Sequence, residues 1–226
     1  MQFSTSFPNT ENPLNPAQWF GGLSDGLQWQ NCRSTPNLCF GTQGNAGGFD
    51  DSTALLKGSW GPNQDCNATA SILTTINDVS EIEIRVRSVI TANVNSGYEV
   101  LFNVSSSNNY GPQIVKWNGA LGSFNVIRDA TGGEIHRAVD GDVIRVSIDA
   151  VNNIRVFVNG VLDIFFQDTT SPWLTGQPGV GFYTNTGAQD NQYGWKQFNA
   201  DDGIPSNVLN PAFNLCPGTG VSWRGR

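Results

Sequence analysis

Charge is scarce in this chain: Asp, Glu, Lys and Arg make up 14% of its 226 residues, with one histidine and one methionine. A single histidine cannot supply the multi-histidine ligand sets of catalytic zinc centres, and no CxxC pair occurs among the four cysteines. No run of about 18 apolar residues exists, which excludes a membrane-spanning helix. Basic residues are the rarer sign: 12 Lys and Arg stand against 19 Asp and Glu, a net charge of −7. That balance is wrong for a protein that holds phosphate backbones by counterion release, so nucleic acid is excluded as a partner. The opening MQFSTSFPNTENP has no basic region followed by an apolar stretch, so no signal peptide is visible. The expectation is either a removed leader and an extracellular protein, or release without one, as virion proteins are released by lysis.

Runs of the helix formers Ala, Glu, Lys and Leu are few, whereas Gly numbers 26 and Pro 11. This is the profile of an all-β protein with many turns. The cysteines are Cys32, Cys39, Cys66 and Cys216, for which three full pairings are open. Cys32 and Cys39 bracket a short Pro-containing loop and are close enough in sequence to bridge. Disulfides and free thiols stand equally open at this point.

Three segments can be distinguished. Residues 1–53 are rich in Asn, Pro, Gly and Gln, with Trp19, Phe20, Leu23, Leu27 and Trp29 dispersed without period. They read as an extended N-terminal arm laid along a surface, since a free linker is poor in aromatics. Residues 54–200 carry repeated strand signals. In EIEIRVRSVI (81–90), Ile82, Ile84 and Val86 point one way and Glu81, Glu83, Arg85 and Arg87 the other. YEVLFNV (98–104), QIVKW (113–117), FNVIR (124–128), VIRVSID (143–149), GVGFYT (179–184) and YGWKQFNA (193–200) follow, separated by turn clusters. Residues 201–226 return to a Gly, Pro and Asn-rich C-terminal tail containing Phe213, Cys216 and Trp223.

The strongest local signal is IRVFVNGVLDIFF (154–166), two apolar runs joined by Asn159-Gly160. Both central residues of a type I′ turn need φ > 0, which Asn and Gly tolerate best, so Val158 should face Val161. Strict alternation then puts Ile154, Val156, Val158, Val161, Asp163 and Phe165 on one side. Arg155, Phe157, Leu162, Ile164 and Phe166 fall on the other. Each side holds one charge, so neither looks made for water, and the second should be covered by more of the chain or by a partner.

The run GDVIRVSIDAVNNIRVFVNGVLDIFFQD, followed by TGQPGVGFYT, resembles the laminin-G and concanavalin A-like lectin/glucanase superfamily. The elements that carry the likeness are Ile154, Val156, Val158, Asn159, Gly160, Asp168, Gly176, Gly179, Val180 and Gly181, and it covers about residues 75–200. It implies an all-β, antiparallel two-sheet jelly-roll sandwich, here with extended N- and C-terminal arms and with one sheet concave. It implies no single function, because that sandwich hosts lectins, hydrolases, lyases, adhesion modules and viral structural proteins.

Candidate chemistry is thin. Glu81 and Glu83 would share a strand face, and a retaining glycosidase needs two carboxyls roughly 5 Å apart. Family glucanases carry a third acid on that strand where this chain has Arg85, so the expectation is a solvated face of alternating Glu and Arg. A lyase reading would use Arg85 to neutralise a uronate carboxylate, His136 as base and Tyr183 as acid. The sequence departs from the lyase motifs around both His136 and Tyr183, and His136 is expected to be an ordinary loop residue. No phosphate-binding loop and no G-x-S-x-G elbow occurs. The acidic pairs Asp50-Asp51, Asp140/Asp142 and Asp201-Asp202 could serve calcium, which oxygen ligands suit, but they read first as turn residues, and no cofactor is required. Asn67-Ala-Thr69 and Asn103-Val-Ser105 are glycosylation acceptors in a eukaryotic secretory setting.

Aromatics give the best binding hint. Tyr110, Trp117 and Trp173 fall in or beside turns, where a sugar ring could stack, with a buried core role equally open for Trp117 at the end of its strand, and Trp19, Trp29 and Trp223 are the arm residues expected to contact the sandwich or a neighbour. The expectation is a non-catalytic surface protein of a larger assembly, such as a phage decoration, fibre or receptor-binding component. Its partners would be other protein subunits in a homo-oligomer, capsid or tail, together with a glycan. The alternative is a secreted carbohydrate-binding module or polysaccharide lyase.

Overall fold

The computed structural model describes residues 1–43, 51–120, 122–186 and 190–203. Its strands are β1 (Gln2–Thr5), β2 (Trp19–Gly21), β3 (Gln30–Asn31), β4 (Arg33–Thr35), β5 (Leu38–Phe40), β6 (Ser52–Leu56), β7 (Gln64–Ile72) and β8 (Ser80–Thr91). They continue as β9 (Val94–Asn103), β10 (Gln113–Gly119), β11 (Phe124–Asp129), β12 (Val143–Ile148), β13 (Asn153–Val158), β14 (Val161–Gln167), β15 (Gln177–Thr184) and β16 (Tyr193–Asp201). Two eight-stranded sheets result. The first runs β14-β13-β12-β7-β16-β5-β4 with β1 beside β16, and the second runs β11-β10-β9-β8-β15-β6-β2 with β3 beside β6. Every pairing is antiparallel except β3 on β6. No helix among the described residues is long and apolar enough to cross a membrane.

The sheets stack through their alternating apolar residues. Ile82, Ile84, Val86, Val100, Phe102, Val180 and Phe182 of the second sheet meet Ala68, Ile144, Val146, Ile154, Val156 and Phe198 of the first in one buried cluster. The N-terminal segment is laid along this body by strand pairing: β1, β4 and β5 extend the first sheet, and β2 and β3 the second. The C-terminal residues 204–226, Trp223 and Cys216 among them, lie outside the described residues.

The hairpin forms as the turn chemistry predicts. Asn159 and Gly160 have φ of 51° and 82°, and Val158 pairs with Val161. Its side assignment needs correction, because the register slips between Val156 and Phe157: Phe157 pairs with Leu162 but Val156 with Ile164, leaving Asp163 as the extra residue of a bulge. Beyond the bulge the faces exchange. Ile164 is fully buried and Phe166 packs against the core, while Phe165 is turned out and 51% exposed. The hairpin is also less covered than expected: Val161, on the inner side beside the turn, is 70% exposed, and Leu162, on the outer side, is 44% exposed, both on β14, the free edge of the first sheet.

A second bulge, between Val86 and Val89 of β8, changes the fate of Arg87. Its φ of 47° takes it off the face it was expected to share with Glu81, Glu83 and Arg85. The guanidinium instead donates to the carbonyls of Pro62 (2.8 Å from Nε), Asp149 (2.6 Å) and Trp173 (2.8 Å) and to Asn152 Oδ1 (2.7 Å). Three loops are tied to one strand by this residue.

Candidate functional site

The outer face of the second sheet carries the polar half of each alternating strand. Cross-strand pairing sets Arg85 opposite Glu99, Glu83 opposite Leu101 and Gly181, Glu81 opposite Tyr183, and Glu99 opposite Val115. The expected solvated Glu and Arg face is therefore overturned: Glu83 and Arg85 are fully buried, because the chain from Leu27 to Asn31 lies over them. Leu27, Trp29, Leu101, Val115 and Trp117 form a second apolar cluster here, with Tyr110 and Phe124 at its margin.

Arg85 is the electrostatic centre. One guanidinium nitrogen, Nη2, donates to Glu83 and to Asp51 Oδ2 at 3.3 Å, and is ion-paired with Glu99 Oε2 at 2.8 Å. The Trp29 ring covers it, with the guanidinium carbon 4.6 Å from the ring centroid. Glycine at position 181 makes this possible, since a Cβ there would lie 2.1 Å from Glu83 Oε2 and 2.8 Å from Arg85 Nε. Three carboxylates around one guanidinium leave an excess of negative charge in a buried place. Burial accordingly pushes the Glu83 carboxyl well above its ordinary range, Glu99 adds to this, and Arg85 opposes it. Glu81, nearer the mouth, is raised to about 7 by burial, against the stabilising hydrogen bond from Tyr110 and with Glu99 adding to the rise.

Asp51, Glu83 and Glu99 hold ligand-type oxygens within 4.8 Å of one another, the spacing of a cation site. Arg85 Nη2 lies within hydrogen-bond reach of all three, so the donor set fits the guanidinium and not an added calcium ion. The loop acids are engaged by protein donors as well. Asp140 accepts from Lys196 at 2.8 Å and Ile72 N at 3.0 Å, Asp142 from Val139 N and Asn159, and Asp202 from Gly61 N. Asp50 lies outside the described residues.

Beside the cluster is a cavity of about 170 Å³ lined by Asp51, Glu81, Glu99, Leu101, Val115, Trp117, Phe124 and Tyr183. Its size suits one ring-sized group, since drug-sized sites run about 300–1,000 Å³. Trp117 is held by an edge-to-face contact with Trp29 (4.5 Å between centroids) and a tilted one with Phe124 (4.9 Å).

The structure brings some of the expected aromatics together and separates others. Trp117 and Trp29 meet over the ion cluster, and Tyr110 borders it with its hydroxyl donating to Glu81 Oε1 at 2.6 Å. Trp173 is half-buried, donating from Nε1 to the Trp117 carbonyl at 3.0 Å while Tyr98 donates no less firmly to Asp168 beneath it. Trp19 is buried between Phe3 and Phe198, which belong to the opposite sheet. Glu99, Leu101, Val115 and Phe124 were not singled out in the sequence, and Asp51 only as one of a pair of turn acids. Only YEVLFNV could have yielded Glu99 and Leu101, as two outward positions of one alternating strand.

The three residues of the lyase reading are not gathered. Arg85 is enclosed by carboxylates, Tyr183 borders the cavity, and His136 packs on Phe102 of the inner face with its Nε2 3.0 Å from Asp142. Asn103 is no glycan acceptor in the folded chain: its amide donates to the Ser105 and Asn108 carbonyls and its Oδ1 accepts from Ser105 N. Asn67 accepts from Asn199 at 2.8 Å.

No family model matches the chain, and no curated protein matches it. Solved structures do. A carbohydrate binding module, CBM66 from Bacillus subtilis, is similar at 16% identity and a TM-score of 0.51, covering 80% of this chain and 90% of that one. β-Agarase A in complex with oligoagarose is similar at 8% identity and a TM-score of 0.58, covering 87% and 89%. The exoplasmic/lumenal domain of VIP36, in its Ca2+/Man3GlcNAc-bound form, is similar at 10% identity and a TM-score of 0.53, covering 92% and 93%. All share the concanavalin A-like jelly roll, and the resemblance read from residues 75–200 holds for the fold.

Proposed function

We propose that this domain binds carbohydrate in the cavity over the outer face of its second sheet. The observation that carries the reading is the lining itself, where Trp117, Phe124 and Tyr183 stand beside the carboxylates of Glu81 and Glu99. A sugar presents C–H faces that pack on aromatic rings and hydroxyls that hydrogen-bond to carboxyl oxygens, so one ring can use both surfaces at once. Three proteins that share the fold are a carbohydrate binding module, an agarase in complex with oligoagarose and a domain bound to Man3GlcNAc, which supports the same reading. The lining carboxylates favour a neutral sugar over a uronate or sulfated one, because like charges in a partly buried site repel. Such a protein fits an extracellular or virion-borne setting.

A screen of the full chain on a neutral and acidic glycan array tests this. The expected result is binding confined to neutral glycans and weakened at least tenfold by Phe124→Ala and by Glu81→Gln. Binding to no glycan, or binding unchanged in both variants, contradicts it.

The finer reading, a component of a larger assembly, draws on the free edge strand β14 with Val161, Leu162 and Phe165 exposed. A bare apolar edge is a template for another strand, and natural monomers blunt such edges with charge or proline. Pairing of β14 with a second copy would make the chain a dimer. Light scattering across a concentration series tests it, with a dimer expected for the wild type and a monomer for Phe165→Lys; a wild-type monomer at every concentration contradicts it.

A further inference from the structure

The cysteines carry an observation that the binding reading does not use. Asn31 pairs with Thr53 in the second sheet, while Arg33 pairs with Phe40 in the first. Cys32 is thus the residue at which the chain crosses between sheets. Across the β4–β5 hairpin, Ser34 faces Cys39, so Cys32 lies two residues further along the same face. Cys39 is locked on its other side by pairing with Trp195. Both cysteines are buried as free thiols in the same apolar cluster. Cys66 sits apart on β7, paired with Val146 and Ala200.

We infer that Cys32 and Cys39 form a disulfide in an oxidising compartment, fastening the sheet-to-sheet crossing next to the Arg85 cluster. The two thiols lose two protons and two electrons as their S–S bond forms. A low-molecular-weight disulfide such as oxidised glutathione accepts them, its own S–S bond breaking to give two thiols. Burial raises the Cys32 thiol, with Cys39 and Glu83 adding to the rise, so the thiolate is scarce in the folded chain. The bridge therefore forms while the crossing is still open, during folding. Once made, it holds the chain immediately after Trp29 and Asn31, the stretch that roofs Arg85 and packs against Trp117.

The test is refolding of the full chain from denaturant in a glutathione redox buffer, followed by alkylation with iodoacetamide under denaturing conditions and trypsin digestion. Trypsin cuts after Arg33, between the two cysteines. The expected product is a cross-linked pair of peptides carrying unalkylated Cys32 and Cys39, lighter by two hydrogens than the reduced pair and separated by reductant. Alkylated Cys32 and Cys39, or Cys32 linked to Cys66 or Cys216, would overturn the inference. Reductant should also lower the melting temperature of the refolded wild type by about 5–10 °C. It should not move that of the double variant Cys32→Ala/Cys39→Ala. A wild-type melting temperature indifferent to reductant also overturns it, and because the peptide map needs only wild-type protein, a double variant that fails to fold leaves the test intact.

Discussion

Trp117 donates its indole N–H to Glu99 Oε2 over 2.6 Å, and the same oxygen is ion-paired with Arg85, so an aromatic wall of the cavity is tied directly to its ionic floor. The buried indole is thus held by its polar edge as well as by its ring contacts with Trp29 and Phe124.

Arg85 should therefore be the costliest side chain to lose. Arg85→Met leaves Asp51, Glu83 and Glu99 buried without a counter-charge, and a destabilisation of about 3–5 kcal/mol is expected at pH 8. The loss should be smaller at pH 5, where the carboxyls can take up protons. Urea unfolding at both values checks this; equal stability of variant and wild type at pH 8 would show that the guanidinium does not hold the cluster.

The raised carboxyls set a pH dependence of definite sign. Glu81 at about 7 holds its proton in the folded chain above the pH at which an ordinary glutamate, near 4.5, has released it. Its stabilising effect is thus complete below about 4.5 and is lost as pH rises through about 7. Glu83 is pushed in the same direction, and Asp190, raised by burial to about 7, acts in the same window elsewhere on the molecule. Urea midpoints should fall from pH 5 to pH 8, and Glu81→Gln should flatten the slope without abolishing it. A slope unaltered by that substitution would contradict the assignment.

Gly181 tests the close approach of β15 to the ion pair. Gly181→Ala forces a methyl against Glu83 and Arg85, and overpacking of this kind costs about 1–3 kcal/mol. Gly133→Ala, where a Cβ meets nothing within 4 Å, is the control and should change stability by less than about 0.5 kcal/mol. Thermal melts of the two variants should differ accordingly.

The bulge at Asp163 reverses which of two adjacent residues matters. Ile164→Ala should cost about 2–5 kcal/mol, as expected for a fully buried aliphatic side chain, and Phe165→Ala less than about 1 kcal/mol. The opposite ranking in denaturant melts would restore strict alternation along β14.

These cases show what the sequence made legible. Strong alternation of large apolar residues exposed β8, β9, β12 and β13, and Asn159-Gly160 fixed its turn, because those signals are local. β7 went unnamed although it lies centrally in the first sheet: its inward residues Cys66, Ala68 and Ala70 are small and give little contrast with Asn67 and Thr69. The bulges at Asp163 and Arg87 were invisible, since one extra residue leaves composition unchanged while exchanging the faces. The site was hidden for a different reason. Glu83 and Arg85 read as solvated because nothing in the aperiodic stretch around Trp29 announces that it folds back over them. Burial there is decided by a contact between residues more than fifty positions apart.

The most direct test of the carbohydrate reading is a two-dimensional 15N NMR titration of the tryptophan indole N–H signals with the best neutral glycan from the array. The Trp117 signal should shift in proportion to occupancy while that of Trp19, buried between Phe3 and Phe198, stays in place. A titration that leaves Trp117 unmoved, with shifts confined to residues of β1, β7 and β16, would place the ligand on the other sheet and contradict the proposed site.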